Sequence, residues 1–180
     1  MADPIIVVPY NPSWQYEFVQ IGERIRDALG EVAIRIDHIG STSVPGLDSK
    51  PVIDIQISVK LFEPMVYKSM LESIGYVYRY QNPDKTKRYF RESSGIRRTH
   101  IHVRELGSWS EQFALLFRDY LRSHPEDCKE YAEVKYHLMG LYGDDRERYV
   151  EEKDPIIWKI MNKASKWSQV VGWKPGITDL

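Results

Sequence analysis

The chain has 180 residues, 42% of them hydrophobic and 12% aromatic, with a formal net charge of -1. That length fits one domain around one core; the aromatic content argues against disorder; the balanced charge excludes a chain-wide basic field for nucleic acid and leaves room only for a local patch. One cysteine, Cys128, excludes an intrachain disulfide, and with no leader-like start and no apolar run near the ~20 residues of a membrane helix, a cytoplasmic protein off the membrane is expected.

Ile5 to Val8 is a short apolar run that predicts a first strand. Asn11-Pro12 predicts a helix start, and Trp14, Phe18, Ile21, Ile25 and Leu29 follow at helical spacing up to Gly30. Ala33 to Ile39 predicts a strand, and residues 40–51, with two glycines and two prolines, a loop. Val52 to Val59 alternates, with Ile53, Ile55 and Ile57 on one face and Asp54, Gln56 and Ser58 on the other. Residues 62–74 predict a helix, Tyr76 to Tyr80 a strand, and Arg88 to Arg91 and Arg97 to Arg104 two more strands joined as a hairpin across Ser93-Ser94-Gly95. From Ser108 the spacing becomes helical: one helix through Phe113, Leu116, Phe117, Tyr120 and Leu121, and a second opening at His124-Pro125, with Tyr131, Val134, Leu138, Leu141 and Tyr142 as its stripe. A third helix is capped by Asp144 with Glu147 and bent or split by Pro155. The expectation is one α+β domain over residues 1–168, a mixed sheet flanked by helices with a helical C-terminal part, then an irregular tail over 169–180.

Chemistry concentrates between His38 and Ile55. Gly40-Ser41 after a strand gives a tight turn, where the backbone N–H groups and hydroxyls of Ser41, Thr42 and Ser43 can converge on an anion. Lys50 adds a mobile positive charge, and Asp54 emerges on the next strand. A strand carboxylate beside a phosphate-accepting turn is what metal-assisted phosphoryl or nucleotidyl transfer needs, because the cation bridges carboxylate and phosphate oxygens. A plain turn with Asp54 in a structural hydrogen bond is the competing reading. His100 and His102 share one strand face; if that face also carries Asp54, two imidazoles and a carboxylate form a divalent-metal set. Satisfied sheet histidines are the alternative. Arginines crowd the hairpin region, and Arg88, beside Tyr89-Phe90, is the best candidate there for a phosphate clamp. Cys128 has no activating pattern and reads as inert.

The run His38-Ile39-Gly40-Ser41-Thr42-Ser43-Val44-Pro45-Gly46-Leu47, followed by Lys50-Pro51-Val52-Ile53-Asp54-Ile55, resembles the signature of the GrpB family. Val8 to Trp14, Arg98 to Val103, Phe117 to Arg122 with His124-Pro125, and Glu130-Tyr131-Ala132 extend the resemblance over about residues 5–165. It implies a nucleotidyltransferase-like fold with Gly40, Ser41 and Asp54 in the positions of that superfamily's glycine-serine turn and first carboxylate. The pattern departs at Gln56, where a second carboxylate is usual, and at His100 and His102, where a later strand would supply a third. The expected function is binding of a nucleotide or other phosphate-bearing small molecule with a divalent metal, magnesium or manganese with zinc as an alternative, and nucleotidyl transfer to an unidentified acceptor. Asp54 is the catalytic candidate; Gly40, Ser41, Thr42, Lys50, Arg88 and Lys153 are the phosphate candidates; Asp54, His100 and His102 the metal candidates. A non-catalytic accessory module, which the occurrence of similar domains fused to dephospho-CoA kinase implies, and a His/Asp metal-dependent hydrolase are the rivals.

Overall fold

The computed structural model describes residues 4–180. Its centre is a five-stranded sheet in the order β1-β2-β5-β4-β3, with β1 Arg35–Ile39, β2 Ile53–Val59, β3 Tyr76–Tyr78, β4 Arg88–Glu92 and β5 Thr99–Glu105. Only β2 and β5 run parallel; the other neighbours are antiparallel. The period-two alternation of β2 sends Ile53, Ile55 and Ile57 to one face, where they meet Ile36, Phe90, Ile101 and Val103. Helix α1 (Ser13–Leu29) and helix α2 (Val66–Ser73) cover this face with Trp14, Phe18, Ile25, Tyr67 and Leu71. Those side chains are among the largest fully or nearly fully buried groups, so burial here supplies most of the drive to fold.

The opposite face carries Asp37, Asp54, Gln56, Ser58, His100 and His102. Helices α3 (Trp109–Ser123), α4 (Pro125–Tyr142) and α5 (Arg146–Val171) pack on this side around a second core that includes Leu47, Tyr131, Ile156 and Ile160. Several polar groups enclosed between sheet and helix are paired, as burial favours. Arg104 donates to Gln56 Oε1 at 2.5 Å, Gln56 donates to the Glu111 carbonyl at 3.4 Å, and Ser58 donates to the Glu111 carboxylate.

Several elements differ from expectation. Residues 5–8 form no strand: Val8 makes one isolated antiparallel bridge to Ser49, while Ile5 is buried with Leu138 and Tyr149. Pro9 has no N–H to continue a ladder. Helix α2 begins at Val66 because Pro64 disfavours helical backbone in the residue before it. The cap of α5 is Asp145, which accepts the Arg148 N–H at 3.1 Å, one residue after the expected Asp144. Pro155 neither ends nor splits α5, which runs on to Val171; Pro155 lies on an exposed stretch where water can serve the carbonyl left without a donor.

Beyond α5 the chain has no regular structure but returns along β1. The Ile36 N–H donates to Thr178 Oγ1 at 2.9 Å and the His38 N–H to Asp179 Oδ2 at 2.8 Å. Arg118 secures the segment through Asp179 at 2.9 Å.

Candidate phosphate and metal site

Between β1 and β2 the chain makes the turn that begins at Gly40. Its φ of 68° lies in the left-handed region, and a Cβ there would sit 2.8 Å from Asp54 Oδ2. Glycine is therefore required twice, for the backbone angle and for the close approach to the carboxylate. The three hydroxyls of the turn separate. Thr42 is buried, donates to the Val52 carbonyl at 3.1 Å and pairs with His38 Nε2 at 3.0 Å. Ser43 donates to the Gly40 carbonyl at 2.6 Å. Both hold the turn's shape, and only Ser41 faces the adjoining cavity.

That cavity, of about 200 Å³, is lined by Gly40, Ser41, Lys50, Asp54, His100 and Lys153, and also by Tyr131, Lys135 and Tyr149 from the helical half. The acidic strand and the serine turn thus open into one hollow. Asp54 is the one carboxylate among the lining residues, against three lysines. Among the described residues no carboxylate lies within 4 Å of any of the three ammonium groups. Lys135 is buried; its Nζ donates to Ser41 Oγ at 3.2 Å and to the Asp48 carbonyl, and lies 4.5 Å from the Tyr131 ring centre. Lys50 and Lys153 both lie over the Tyr149 ring, at 5.0 and 5.7 Å. Burial, together with the charge of Lys153, pushes Lys135 down to about 7, and burial with Lys153 and Arg146 pushes Lys50 down to about 8. The cavity is a concentration of positive charge short of negative partners.

At its floor the parallel register sets Asp54 opposite His100 and Gln56 opposite His102. Asp54 Oδ1 lies 3.3 Å from His100 Nδ1 and 3.1 Å from His102 Nε2. Burial alone would raise the Asp54 carboxyl; the hydrogen bonds from both imidazoles outweigh it and hold the group well below the usual carboxylate range. His102 is pushed down to about 4 by burial, with Lys87 and Arg104 acting in the same direction against the pull of Asp54, so it is neutral at pH 7. Tyr89 covers both imidazoles, with ring centres 5.5 Å from His100 and 5.4 Å from His102.

One ligand atom from each of Asp54, His100 and His102 falls within 4.8 Å of the others. A carboxylate oxygen with two imidazole nitrogens fits a borderline divalent ion such as manganese or zinc better than magnesium, which prefers oxygen. The outer ring nitrogens, His100 Nε2 and His102 Nδ1, have no hydrogen-bond partner among the described residues. Gln56 is not placed as a further ligand: it is buried, its amide oxygen accepts from Arg104 and its amide nitrogen donates to the Glu111 carbonyl.

The structure therefore brings Gly40, Ser41, Lys50, Asp54, His100 and Lys153 to one cavity, with His102 beside Asp54 beneath it. Thr42 is turned inward. Arg88 lies elsewhere: it pairs with Val103 across the sheet, so its side chain leaves the face opposite to His100 and stacks on Phe62 at 4.2 Å. Sequence reasoning misses Lys135 and Tyr149. The signal for Lys135 was present, since it falls four residues after Tyr131 and three before Leu138, a cation on the apolar stripe of α4. Cys128 donates its thiol to the Leu121 carbonyl at 3.1 Å, and burial pushes it up to about 11.

A family model described as "GrpB protein" matches residues 4–163. The chain belongs to the GrpB family. Relatives include a UPF0157 protein of Pseudomonas aeruginosa, 40% identical over 90% of this chain and 68% of its own length. The UPF0157 protein YqkA of Bacillus subtilis is 35% identical over 91% of this chain, which spans only 48% of that protein. A dephospho-CoA kinase of Mycobacterium tuberculosis is 33% identical over 96% of this chain, again about half of the relative at 49%. A crystal structure of GrpB from Enterococcus faecalis superposes with a TM-score of 0.83 at 32% identity, covering 91% of this chain and 99% of that one. The GLD-2/RNP-8 complex (TM-score 0.54, 10% identity, covering 81% of this chain and 58% of that one) shares the fold alone, which is nucleotidyltransferase-like. Among the described residues of this GrpB-family chain, no helix is long and apolar enough to cross a membrane.

Proposed function

We propose that this chain binds a nucleotide, or a closely similar phosphate-bearing small molecule, together with one divalent cation, and transfers a nucleotidyl group to an acceptor. The observation that carries the reading is the convergence of Lys50, Lys135 and Lys153 on the Ser41 turn beside Asp54, with no carboxylate of the described residues within 4 Å of their ammonium groups. Burying ammonium groups without counter-charge is costly, and an anionic ligand offsets that cost. Ser41 and the three lysines would meet phosphate oxygens, while Asp54, His100 and His102 would hold the cation. When bound there, the cation neutralises phosphate charge and favours displacement at phosphorus. The fold shared with nucleotidyltransferases supports the nucleotide as the ligand.

Calorimetric titration with the four ribonucleoside triphosphates plus manganese tests this. At least one nucleotide should bind, Asp54→Ala should abolish the manganese dependence, and Lys135→Met should weaken binding roughly tenfold or more, the scale of a lost charge-assisted contact. Silence toward all four, with both variants unchanged, sinks the proposal.

The locked position of Gln56 favours a second reading, an accessory module that binds without turnover. Similarity to about half of a dephospho-CoA kinase supports it, since a domain accompanying a kinase can serve by holding a ligand. Release of pyrophosphate in the presence of candidate acceptors separates the two: turnover excludes the module, and tight binding that survives Asp54→Asn without any release favours it.

A further inference from the structure

A second cavity, of about 420 Å³, lies where the loop between β3 and β4 folds back on the sheet edge. Three tyrosines line it, Tyr78, Tyr80 and Tyr89, and Tyr80 is 70% exposed. Four cations line it as well: Arg79, Lys85, Lys87 and Arg88. Two acids answer them. Asp84 lies 3.4 Å from Lys87 and Glu63 lies 3.6 Å from Arg88. No carboxylate lies within 4 Å of Arg79 or Lys85 among the described residues, and Lys85 donates to the Asn82 carbonyl instead. Residues 79–91 contain five Lys or Arg and one acid, within a chain whose overall charge is -1. The positive charge is thus local to this hairpin, and aromatic rings are interleaved with it.

Cations alone would fit any polyanion. The exposed ring of Tyr80, with the half-buried Tyr78 and Tyr89 beside it, fits a polyanion that carries flat aromatic groups, because bases stack on tyrosine while guanidinium and ammonium groups meet the phosphates between them. Position adds a second argument. Tyr89, whose ring covers His100 and His102, lines this cavity too, while Tyr78 and Arg88 reach it from the opposite face, so the cavity wraps the sheet edge nearest the histidines.

We infer that the β3–β4 hairpin is a binding groove for single-stranded nucleic acid, with Tyr80 and Tyr78 stacking bases and Arg79 and Lys85 meeting phosphates. The role of the strand as acceptor rests on the nucleotide reading of the Asp54 site; its binding does not. Arg88, which the sequence offers as a clamp for the nucleotide, belongs to this groove and not to the lysine cavity.

The test is fluorescence anisotropy of labelled ten-residue RNA and DNA strands at 50 and 200 mM salt, with poly-glutamate as a baseless polyanion. At least one nucleic acid should bind, and the RNA and DNA arms tell which sugar is preferred. Neutralisation of two to three phosphates makes binding roughly seven- to eighteenfold weaker at the higher salt. Tyr80→Ala removes an exposed ring and should weaken binding at least about fivefold, the lower end for one stacked base. Arg79→Glu with Lys85→Glu should weaken it further, while nucleotide titration at the Asp54 site stays within about twofold of wild type, as separate sites require. The inference is overturned if neither strand binds, if poly-glutamate binds equally well, or if Tyr80→Ala has no effect. Nucleotide binding without strand binding defeats this inference alone; strand binding without nucleotide binding defeats the nucleotide reading alone.

Discussion

Lys135→Met exchanges a buried ammonium for a neutral side chain of similar length, and its effect on stability should change sign with pH. In the folded chain burial holds Lys135 near 7 against an ordinary value of 10.5. At about 1.36 kcal/mol per unit, keeping this lysine buried at pH 7 costs the fold about 4 kcal/mol. The substitution relieves that cost and forfeits the hydrogen bonds to Ser41 and the Asp48 carbonyl, together worth about 2–3 kcal/mol. The variant should therefore be more stable at pH 7 by about 1–2 kcal/mol, or about 2–8 °C in Tm for a chain of this size. Because the folded value is depressed, the unfolded chain holds the extra proton between about 7 and 10.5, so the wild type gains stability as pH rises through that window. At pH 10 the residual cost is under about 1 kcal/mol, and the lost hydrogen bonds make the variant the less stable protein by about 1–2 kcal/mol. Urea unfolding of both proteins at pH 7 and pH 10 measures the crossover. A variant less stable by the same amount at both values would show that Lys135 carries no charge penalty, and the argument for an anion-seeking cavity would lose its basis.

Gly40→Ala should lower the urea midpoint by the equivalent of about 2–3 kcal/mol, from backbone strain and from the Cβ pressed against Asp54; an unchanged midpoint would contradict the turn geometry. Gln56→Glu restores the carboxylate usual at that position, but Arg104 should capture it, so manganese stoichiometry by electron paramagnetic resonance stays as in wild type. A second bound ion would show that the position is open. Arg118→Met should cost about 1–3 kcal/mol: the buried Asp37 keeps Arg35, but Asp179 and the His38 carbonyl lose their donor. Hydrogen exchange at the Ile36 and His38 amides should accelerate in that variant, and unchanged exchange would mean the C-terminal segment is held by other contacts.

Much of the sheet is legible in the residues because β2 and β5 alternate so plainly. Once Ile55 and Ile101 are taken as inward, Asp54, His100 and His102 must share the other face, and the parallel register sets Asp54 level with His100. The same parity explains the displacement of Arg88. Which of Arg88 and Tyr89 faces the histidines depends on register with β5, and a short basic strand carries no apolar alternation strong enough to declare it. Lys135 was hidden for a different reason. Helical spacing identifies the stripe that packs inward, but whether that stripe meets more apolar side chains or the wall of a cavity depends on the partner surface, here the Ser41 turn far away in sequence. Thr42 and Ser43 look equivalent to Ser41 as residue types; the tight turn sends the Ser43 hydroxyl back to the Gly40 carbonyl and the Thr42 hydroxyl to the Val52 carbonyl.

The way the C-terminal segment meets β1 bears on how the protein fails. Thr178 and Asp179 occupy the outward amides of Ile36 and His38 with side-chain oxygens, so no fresh ladder of backbone donors and acceptors is presented beyond them. At the far end, β3 is only three residues long. Neither margin of the sheet is a good template for another chain. Release of the last few residues would change that before the interior loosens: β1 would become an open, pairing-competent border on an otherwise intact molecule. Self-association under mild heating should then track detachment of this segment, with the isoleucine-rich interior still closed, and a covalent tether holding Thr178 near Ile36 should suppress clumping without raising the temperature at which the sheet itself melts.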